Sequence, residues 1–308
     1  MTWLDYSHPM VTPLDKRPRS GPYSGLNARS AKRILTKAFQ ESGLPFAEED
    51  ALEIVLAAAG LDRTSLILRG TEILKPEVFE TISEHMHRRL SGEPVDHILG
   101  WRDFYGRRFT ISSDVLSPRA DTENLIRGAL SHLEGISEPY VLDLGTGSGA
   151  IGLTVLAERK DARLVATDVS ASALEIARIN ARALNLQSRV TFRQGSWWDA
   201  VPDSERFDII LSNPPYITDA AMEGLEAEVK NYDPDLALRG GADGLNPYRI
   251  ILEKAAAYLK SSGWLGFEIG SDQGAALRKL LSEGLWTQIS IDQDLGGLDR
   301  VVWSRKCD

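Results

Sequence analysis

The sequence has a single cysteine, Cys307, in 308 residues. That excludes an internal disulfide framework and a cysteine-based zinc site, and it fits a reducing compartment. There is no run of about 18 apolar residues, the length a membrane-spanning helix requires. The opening stretch, Met1 to Tyr6, has no basic segment followed by an apolar one, so a secretory signal is not expected and the cytoplasm is. A basic excess is also missing: the net charge is −9, and residues 96–308 carry 23 Lys and Arg against 31 Asp and Glu. Duplex binding rests on neutralising phosphates with a basic face, so direct nucleic-acid binding is not expected. No internal repeat, low-complexity tract or metal-ligand cluster stands out. What is present is ordinary for a soluble chain of one large or two modest domains, with 43% hydrophobic and 26% charged residues.

Residues 1–25 are rich in Pro, Ser and Gly, with a basic cluster at Lys16, Arg17 and Arg19, and are expected to form a flexible tail. Residues 26–92 carry helical periodicity. Asn27 is the expected cap of a helix with Ala28, Ala31, Ile34, Leu35, Ala38 and Phe39 on one side. A second covers 47–59 with Leu52, Val55, Leu56 and Ala59 inward and Gly60 as its stop. A short third holds Leu66, Ile67 and Leu68. A fourth starts at Pro76, a favoured first-turn position, and carries Val78, Phe79, Ile82, Met86 and Leu90. These predict a small helical bundle with His85 and His87 on its surface.

Gly92-Glu93-Pro94 opens a linker over 93–117, in which Trp101 to Ile111 alternates around Tyr105-Gly106 as a hairpin does. Residues 118–308 begin with a helix capped by Asp121 or Thr122. From Tyr140 strands and helices alternate. Strands are expected at 141–144, 163–167, 190–193, 207–212, 264–268, and near 286–292 and 301–304. Helices are expected at 150–158, 171–185, 247–260 and 272–283, with a variable loop after 216. Repeated βαβ units predict an α/β fold with a mostly parallel, doubly wound sheet.

The strand ending Ile210-Leu211-Ser212 runs into Asn213-Pro214-Pro215-Tyr216, which cannot continue it. Two prolines remove two backbone donors and set two φ angles. Asn213, preceding a proline, is held toward extended geometry. The product is a stiff corner with one side-chain amide, bare carbonyls and an aromatic ring, a set suited to gripping a planar –NH2 group. The same residues also fit a plain proline turn capped by Asn.

Gly145-Thr146-Gly147-Ser148-Gly149 lies between a strand and a helix, where a glycine turn lets a ligand approach the backbone. Asp168 ends the next strand, and its carboxylate can accept both hydroxyls of a ribose. Dinucleotide enzymes share both features, so an NAD reading stands beside a methyl-donor one. The Gly-x-Gly-x-Gly spacing and the Asn-Pro-Pro-Tyr corner, which hydride transfer does not need, favour S-adenosylmethionine. Trp197 is placed to pack on an adenine ring, or else to close the rim of the core.

In order along the chain, Gly92-Glu93-Pro94, Phe104 to Phe109, Pro118-Arg119 with Asp121-Thr122-Glu123, and Val141 to Ile151 form one set with Asn213 to Ile217. Tyr232-Asp233-Pro234, Gly240 to Leu245, Glu268 to Gly270 with Gln273-Gly274, and Asp299 to Val302 complete it. In this set the chain resembles the HemK-type family of peptide chain release factor glutamine N5-methyltransferases over roughly residues 26–305. It departs from the family's usual pattern at Leu116-Ser117-Pro118-Arg119-Ala120 and in the 25-residue extension. The resemblance implies a helical substrate-recognition domain joined by a hairpin to a Rossmann-like methyltransferase domain. That domain would hold a seven-stranded sheet whose last strand is antiparallel. It implies S-adenosylmethionine at Gly145 to Gly149, Asp168, Trp197 and Asn213, with S-adenosylhomocysteine as product. It implies that Asn213, Pro214, Pro215 and Tyr216 receive the substrate glutamine of a release factor's Gly-Gly-Gln loop. Three other readings remain: glutamine methylation of a ribosomal protein, amino-methylation of a flipped nucleic-acid base, and a non-catalytic cofactor-binding scaffold.

Overall fold

The computed structural model describes residues 26–308; the expected tail, with Lys16, Arg17 and Arg19, lies outside the described residues. The described chain divides after Ser91 into two compact units.

The first unit is helical: α1 (Ala28–Glu41), α2 (Ala47–Ala59), α3 (Arg63–Arg69) and α4 (Pro76–Leu90). Asn27 Oδ1 accepts the Ser30 amide and Asp62 Oδ1 that of Ser65, satisfying donors that helix starts leave open. Gly60, at φ 62°, ends α2. Buried Arg89 of α4 pairs with Asp50 of α2 at 2.6 Å. The inward faces differ in part from expectation. On α2 the buried residues are Ala47, Ala51, Ile54 and Val55, because this helix is apolar on several sides and packs its small alanines inward. Ile34 is half outside, and Ile67 and Leu68 of α3 are exposed. His87 is exposed and His85 half-buried.

The second unit begins with α5 (Val95–Leu99), a turn of helix the periodicity was too short to reveal. β1 (Trp101–Phe104) and β2 (Arg107–Thr110) then pair antiparallel around Tyr105 and Gly106, both at positive φ as the tightest hairpin turns require. After α6 (Glu123–His132) come β3 (Tyr140–Leu144), α7 (Ala150–Glu158), β4 (Arg163–Asp168), α8 (Ala171–Ala183), β5 (Val190–Gln194) and β6 (Phe207–Ser212). The expected variable loop holds β7 (Ile217–Thr218), α9 (Ala227–Tyr232), α10 (Asp235–Leu238) and β8 (Arg239–Gly241), with β7 and β8 paired in parallel. α11 (Asn246–Tyr258), β9 (Leu259–Glu268), α12 (Gly274–Ser282), β10 (Trp286–Gln293) and β11 (Asp299–Lys306) complete it. Thr122 occupies the cap position of α6, but its side chain makes no capping bond.

Seven strands form one sheet in the order β10-β11-β9-β6-β3-β4-β5. β3, β4, β5, β6 and β9 run parallel, and β11 is antiparallel to both neighbours. Alternate residues feed two cores, as a pleated strand dictates. Ile209 and Leu211 join the layer under α6, α7 and α8 and Ile210 that under α11 and α12; Phe207 also joins the second layer, across an irregularity in the register between Phe207 and Ile209. The seven-stranded, mostly parallel Rossmann-like architecture with an antiparallel last strand is therefore the one expected.

Candidate active site

Strand register sets the site. Leu144 pairs with Thr167, Asp143 with Leu211, and Ser212 with Phe267. Carried on to the strand ends, that register brings Asp168, Gly145, Asn213 and Glu268 to one level across β4, β3, β6 and β9. These are carboxyl ends, and the strand order reverses at β3, the position where open α/β sheets hold ligands.

The glycine turn is built from its own neighbours. The amides of Gly145 and Thr146 both donate to the Thr167 carbonyl at 2.9 Å. Gly145, Gly147 and Gly149 all have positive φ. At Gly149, which opens α7, a Cβ would also lie 2.7 Å from a Leu153 methyl, so no side chain is admitted there. Below the turn, buried Asp143 Oδ2 accepts the Thr146 hydroxyl at 2.6 Å and the Gly152 amide at 3.0 Å. Burial pushes the Asp143 carboxyl up to about 6 against these two bonds, and its Oδ1 has no hydrogen-bond partner among the described residues. Asn180, fully buried on α8, donates to Ser148 O at 2.8 Å and exchanges bonds with both backbone groups of Thr110. Asp168 accepts the Gly147 amide on one oxygen and the Ser170 amide on the other, each at 2.9 Å. Burial raises its pKa, and those backbone donors oppose the rise.

The Asn213–Tyr216 corner is held differently. Ser212 Oγ donates to Leu144 O at 2.7 Å, tying the end of β6 to that of β3. The next anchor is the Tyr216 carbonyl, which accepts Gln273 Nε2 at 3.1 Å. Burial raises the Tyr216 pKa, with Glu268 adding to it, so the phenol is neutral at neutral pH. Glu268 is itself buried, which raises its carboxyl despite Thr122, Arg300 and Arg119 nearby.

A cavity of about 570 Å³ lies over this row. Gly145, Thr146, Gly147, Ser148, Asp168, Trp197, Asn213 and Pro215 all border it, so the glycine turn, the acidic strand end and the amide corner share one space. Gly149 and buried Pro214 lie behind its wall, and Tyr216 borders a second cavity of about 400 Å³ with Thr218, Gln273 and Arg300. Trp197 sits at φ 48°, a strained setting for an aromatic residue, with its ring edge 3.9 Å from where a Cβ on Gly145 would be. Arg119 borders the first cavity and stands 3.8 Å from Asp233, whereas Glu123 instead accepts the Tyr105 amide at 3.3 Å.

Sequence reasoning did not single out Asp143 or Asn180 as site residues, or the wall at 113–115. Two of these carry a signal: Asp143 is a lone carboxylate in an apolar strand, and Asn180 an amide on the inward face of α8. The wall is irregular backbone and carries none.

The chain matches the family model described as "Methyltransferase small domain" over residues 125–228 and that described as "PrmC N-terminal domain" over 31–100. A "Release factor glutamine methyltransferase" of Cereibacter sphaeroides is 41% identical over 282 residues, covering 91% of this chain and 99% of the relative. One of the same name from Neisseria gonorrhoeae is 44% identical, covering 78% and 86%. Among solved structures, the hMettl16 catalytic domain in complex with MAT2A 3′UTR hairpin 6 aligns with a TM-score of 0.56 at 16% identity, covering 73% of this chain and 83% of that one; it shares the fold. Identity and coverage at that level place the chain in the release factor glutamine methyltransferase family.

Proposed function

We propose that this chain transfers a methyl group from S-adenosylmethionine to the side-chain amide nitrogen of the glutamine in the Gly-Gly-Gln motif of peptide chain release factors, leaving S-adenosylhomocysteine. The observation that carries the reading is the shared cavity: Asn213 opens into the same space as the glycine turn and Asp168. Its volume suits a nucleoside-sized ligand together with one side chain, within the roughly 300–1,000 Å³ of small-molecule sites. The residues fit the donor. Bare glycine backbone leaves room at Gly145 and Gly147, each Asp168 oxygen keeps a lone pair for a ribose hydroxyl, and Trp197 stands at the rim for an adenine.

S-adenosylmethionine supplies an electrophilic methyl carried on a sulfonium. An amide nitrogen is a poor nucleophile because its lone pair is delocalised into the carbonyl, so the protein's task is orientation. Asn213 Oδ1 and the Pro214 carbonyl accept the two N–H groups, which aims the lone pair along the line of transfer. Positive charge grows on nitrogen as the C–N bond forms. The same two oxygens therefore hold its hydrogens more strongly in the transition state than in the ground state. One proton then leaves to solvent. Tyr216, a neutral phenol that borders the second cavity, would cover the amide plane from that side and takes no proton. Residues 26–92 would grip the release factor while its loop enters the cavity, in the cytoplasm where translation ends.

The test is methyl transfer from isotope-labelled S-adenosylmethionine to purified release factor, with ribosomal proteins and DNA in parallel, and the product mapped by peptide mass. Label on the Gly-Gly-Gln glutamine is the expected result. Label only on a ribosomal protein or on DNA would overturn the substrate, and bound cofactor that never turns over would overturn the enzyme reading.

A further inference from the structure

We infer that Gln273 is a positioning residue for the methyl acceptor: its carboxamide clasps the far end of the Asn213–Tyr216 corner and thereby sets where Asn213 Oδ1 and the Pro214 carbonyl point. The inference rests on the reading above for which atoms the corner presents.

Gln273 stands at the cap position of α12, where an amide side chain could serve the helix, yet it makes no capping bond. It turns inward instead and is 7% exposed. Both of its N–H bonds and its carbonyl oxygen are engaged. Nε2 donates to Tyr216 O and to Gly244 O, each at 3.1 Å. Oε1 accepts the Gly270 amide at 3.0 Å, and the Tyr248 hydroxyl, which donates to the Glu268 carbonyl at 2.9 Å, stands 3.3 Å from it. Four separate segments therefore meet on one buried side chain: the corner, the loop before α11, the turn after β9, and α11 itself.

The corner needs such an anchor. Pro214 and Pro215 have no N–H, so across these two residues the backbone can be held only through carbonyls. Ser212 Oγ holds one end against β3. Gln273 holds the other, and the stiff prolines between carry the aim of both ends to Asn213. The backing is close-packed: a Cβ on Gly244 would lie 2.4 Å from Tyr216 O, and one on Gly240 would lie 2.8 Å from Tyr216 Cα. Only glycine backbone lets the 240–244 loop come near enough for Gln273 to bond both carbonyls at once. Chemistry sets the residue type, since two carbonyl acceptors and an amide donor demand a group with two N–H bonds and an acceptor oxygen. A carboxylate in the same space would face two carbonyl oxygens with no proton to offer.

The experiment uses the full-length protein with Gln273→Ala and the near-isosteric Gln273→Glu. It measures cofactor Kd, release-factor KM and kcat, and amide hydrogen exchange across residues 213–219. A shift on the order of 1 Å in a reacting group costs about 10²-fold in rate. Both variants are therefore expected to lose about that factor in kcat, with Kd and KM within threefold. Exchange should quicken at Tyr216, Ile217 and Thr218 while the glycine-turn amides stay as they were. Gln273→Glu should regain part of its kcat as pH falls and the new carboxyl gains a proton to donate. Unchanged kcat, or a loss tracked by cofactor affinity and by exchange throughout the sheet, would overturn the inference. Should the wild-type protein methylate no glutamine, the functional reading fails separately, and exchange at Tyr216–Thr218 decides the clasp: faster supports it, unchanged overturns it.

Discussion

The two walls of the cavity are made by opposite means. The glycine-turn wall is held by what is near it in the chain and the sheet: Thr167 O takes two of its amides, Asp143 takes a hydroxyl three residues on, and Asp168 takes the Gly147 amide. The Asn213–Tyr216 wall lacks backbone donors at its two prolines and is held by Gln273, 57 residues away from Tyr216 in the chain. A wall of bare glycine backbone, fixed by its own amide bonds, suits binding, because it lets a ligand come close and leaves the Asp168 oxygens to meet its polar edge. A wall of carbonyls and one amide, stiff and backed by packing, suits orienting a nucleophile. Binding and turnover should therefore separate by mutation along that line.

Asp168→Ala breaks the binding wall. Hydrogen bonds to a charged acceptor are worth about 1.5–3 kcal/mol each, so losing two weakens cofactor affinity at least about 10²-fold by calorimetry. At saturating cofactor, kcat should stay within a few fold; a collapse of kcat at unchanged affinity would reverse the roles of the two walls. Asp143→Asn tests the support beneath. Burial raises the Asp143 carboxyl from 3.8 to about 6, so in the folded state it holds its proton to higher pH than in the unfolded chain. Its contribution is full below pH 4 and is lost as pH rises through 6, by roughly 3 kcal/mol. The gap in urea-unfolding stability between wild type and Asp143→Asn should close or reverse by about that amount from pH 4 to pH 7. A constant gap would contradict the account.

Asn180→Leu leaves the Ser148 carbonyl and both Thr110 backbone groups without their partner, at about 1–3 kcal/mol each where no water enters. The melting temperature should fall, and cofactor affinity with it, since Ser148 lines the cavity. Gly266→Ala is a control away from both walls. Its new methyl would lie 2.3 Å from the buried Trp303 ring, an overpacking that costs about 1–3 kcal/mol. Stability should drop while cofactor Kd and kcat of the folded fraction hold; loss of cofactor affinity would mean that strain at Trp303 reaches the glycine turn through the core layer that Trp303 and α7 share.

The difference between the walls also explains what could be read from the sequence. The glycine turn and Asp168 are legible because their determinants sit at consecutive strand ends and each strand is a compact apolar run. The corner is legible as a shape, since Pro214 and Pro215 dictate it locally. Its anchoring is not: Gln273 stands in the set that carries the family resemblance, but nothing local shows what it bonds, and its partners Gly244 and Tyr216 lie 29 and 57 residues away. The short elements α5, β7 and β8 have too few residues to show a period, so the stretch after Tyr216 reads as loop. α2 was mis-oriented for a related reason, as alanines on one side and leucines on the other give two plausible faces until α1 chooses between them.

The most direct test of the account is the single-turnover rate of Asn213→Ala at saturating cofactor, with cofactor Kd measured on the same preparation. If Asn213 orients the amide nitrogen, the rate falls by orders of magnitude, about 10³-fold, while Kd stays within a few fold. An undiminished rate, or a loss that cofactor affinity fully explains, would contradict it.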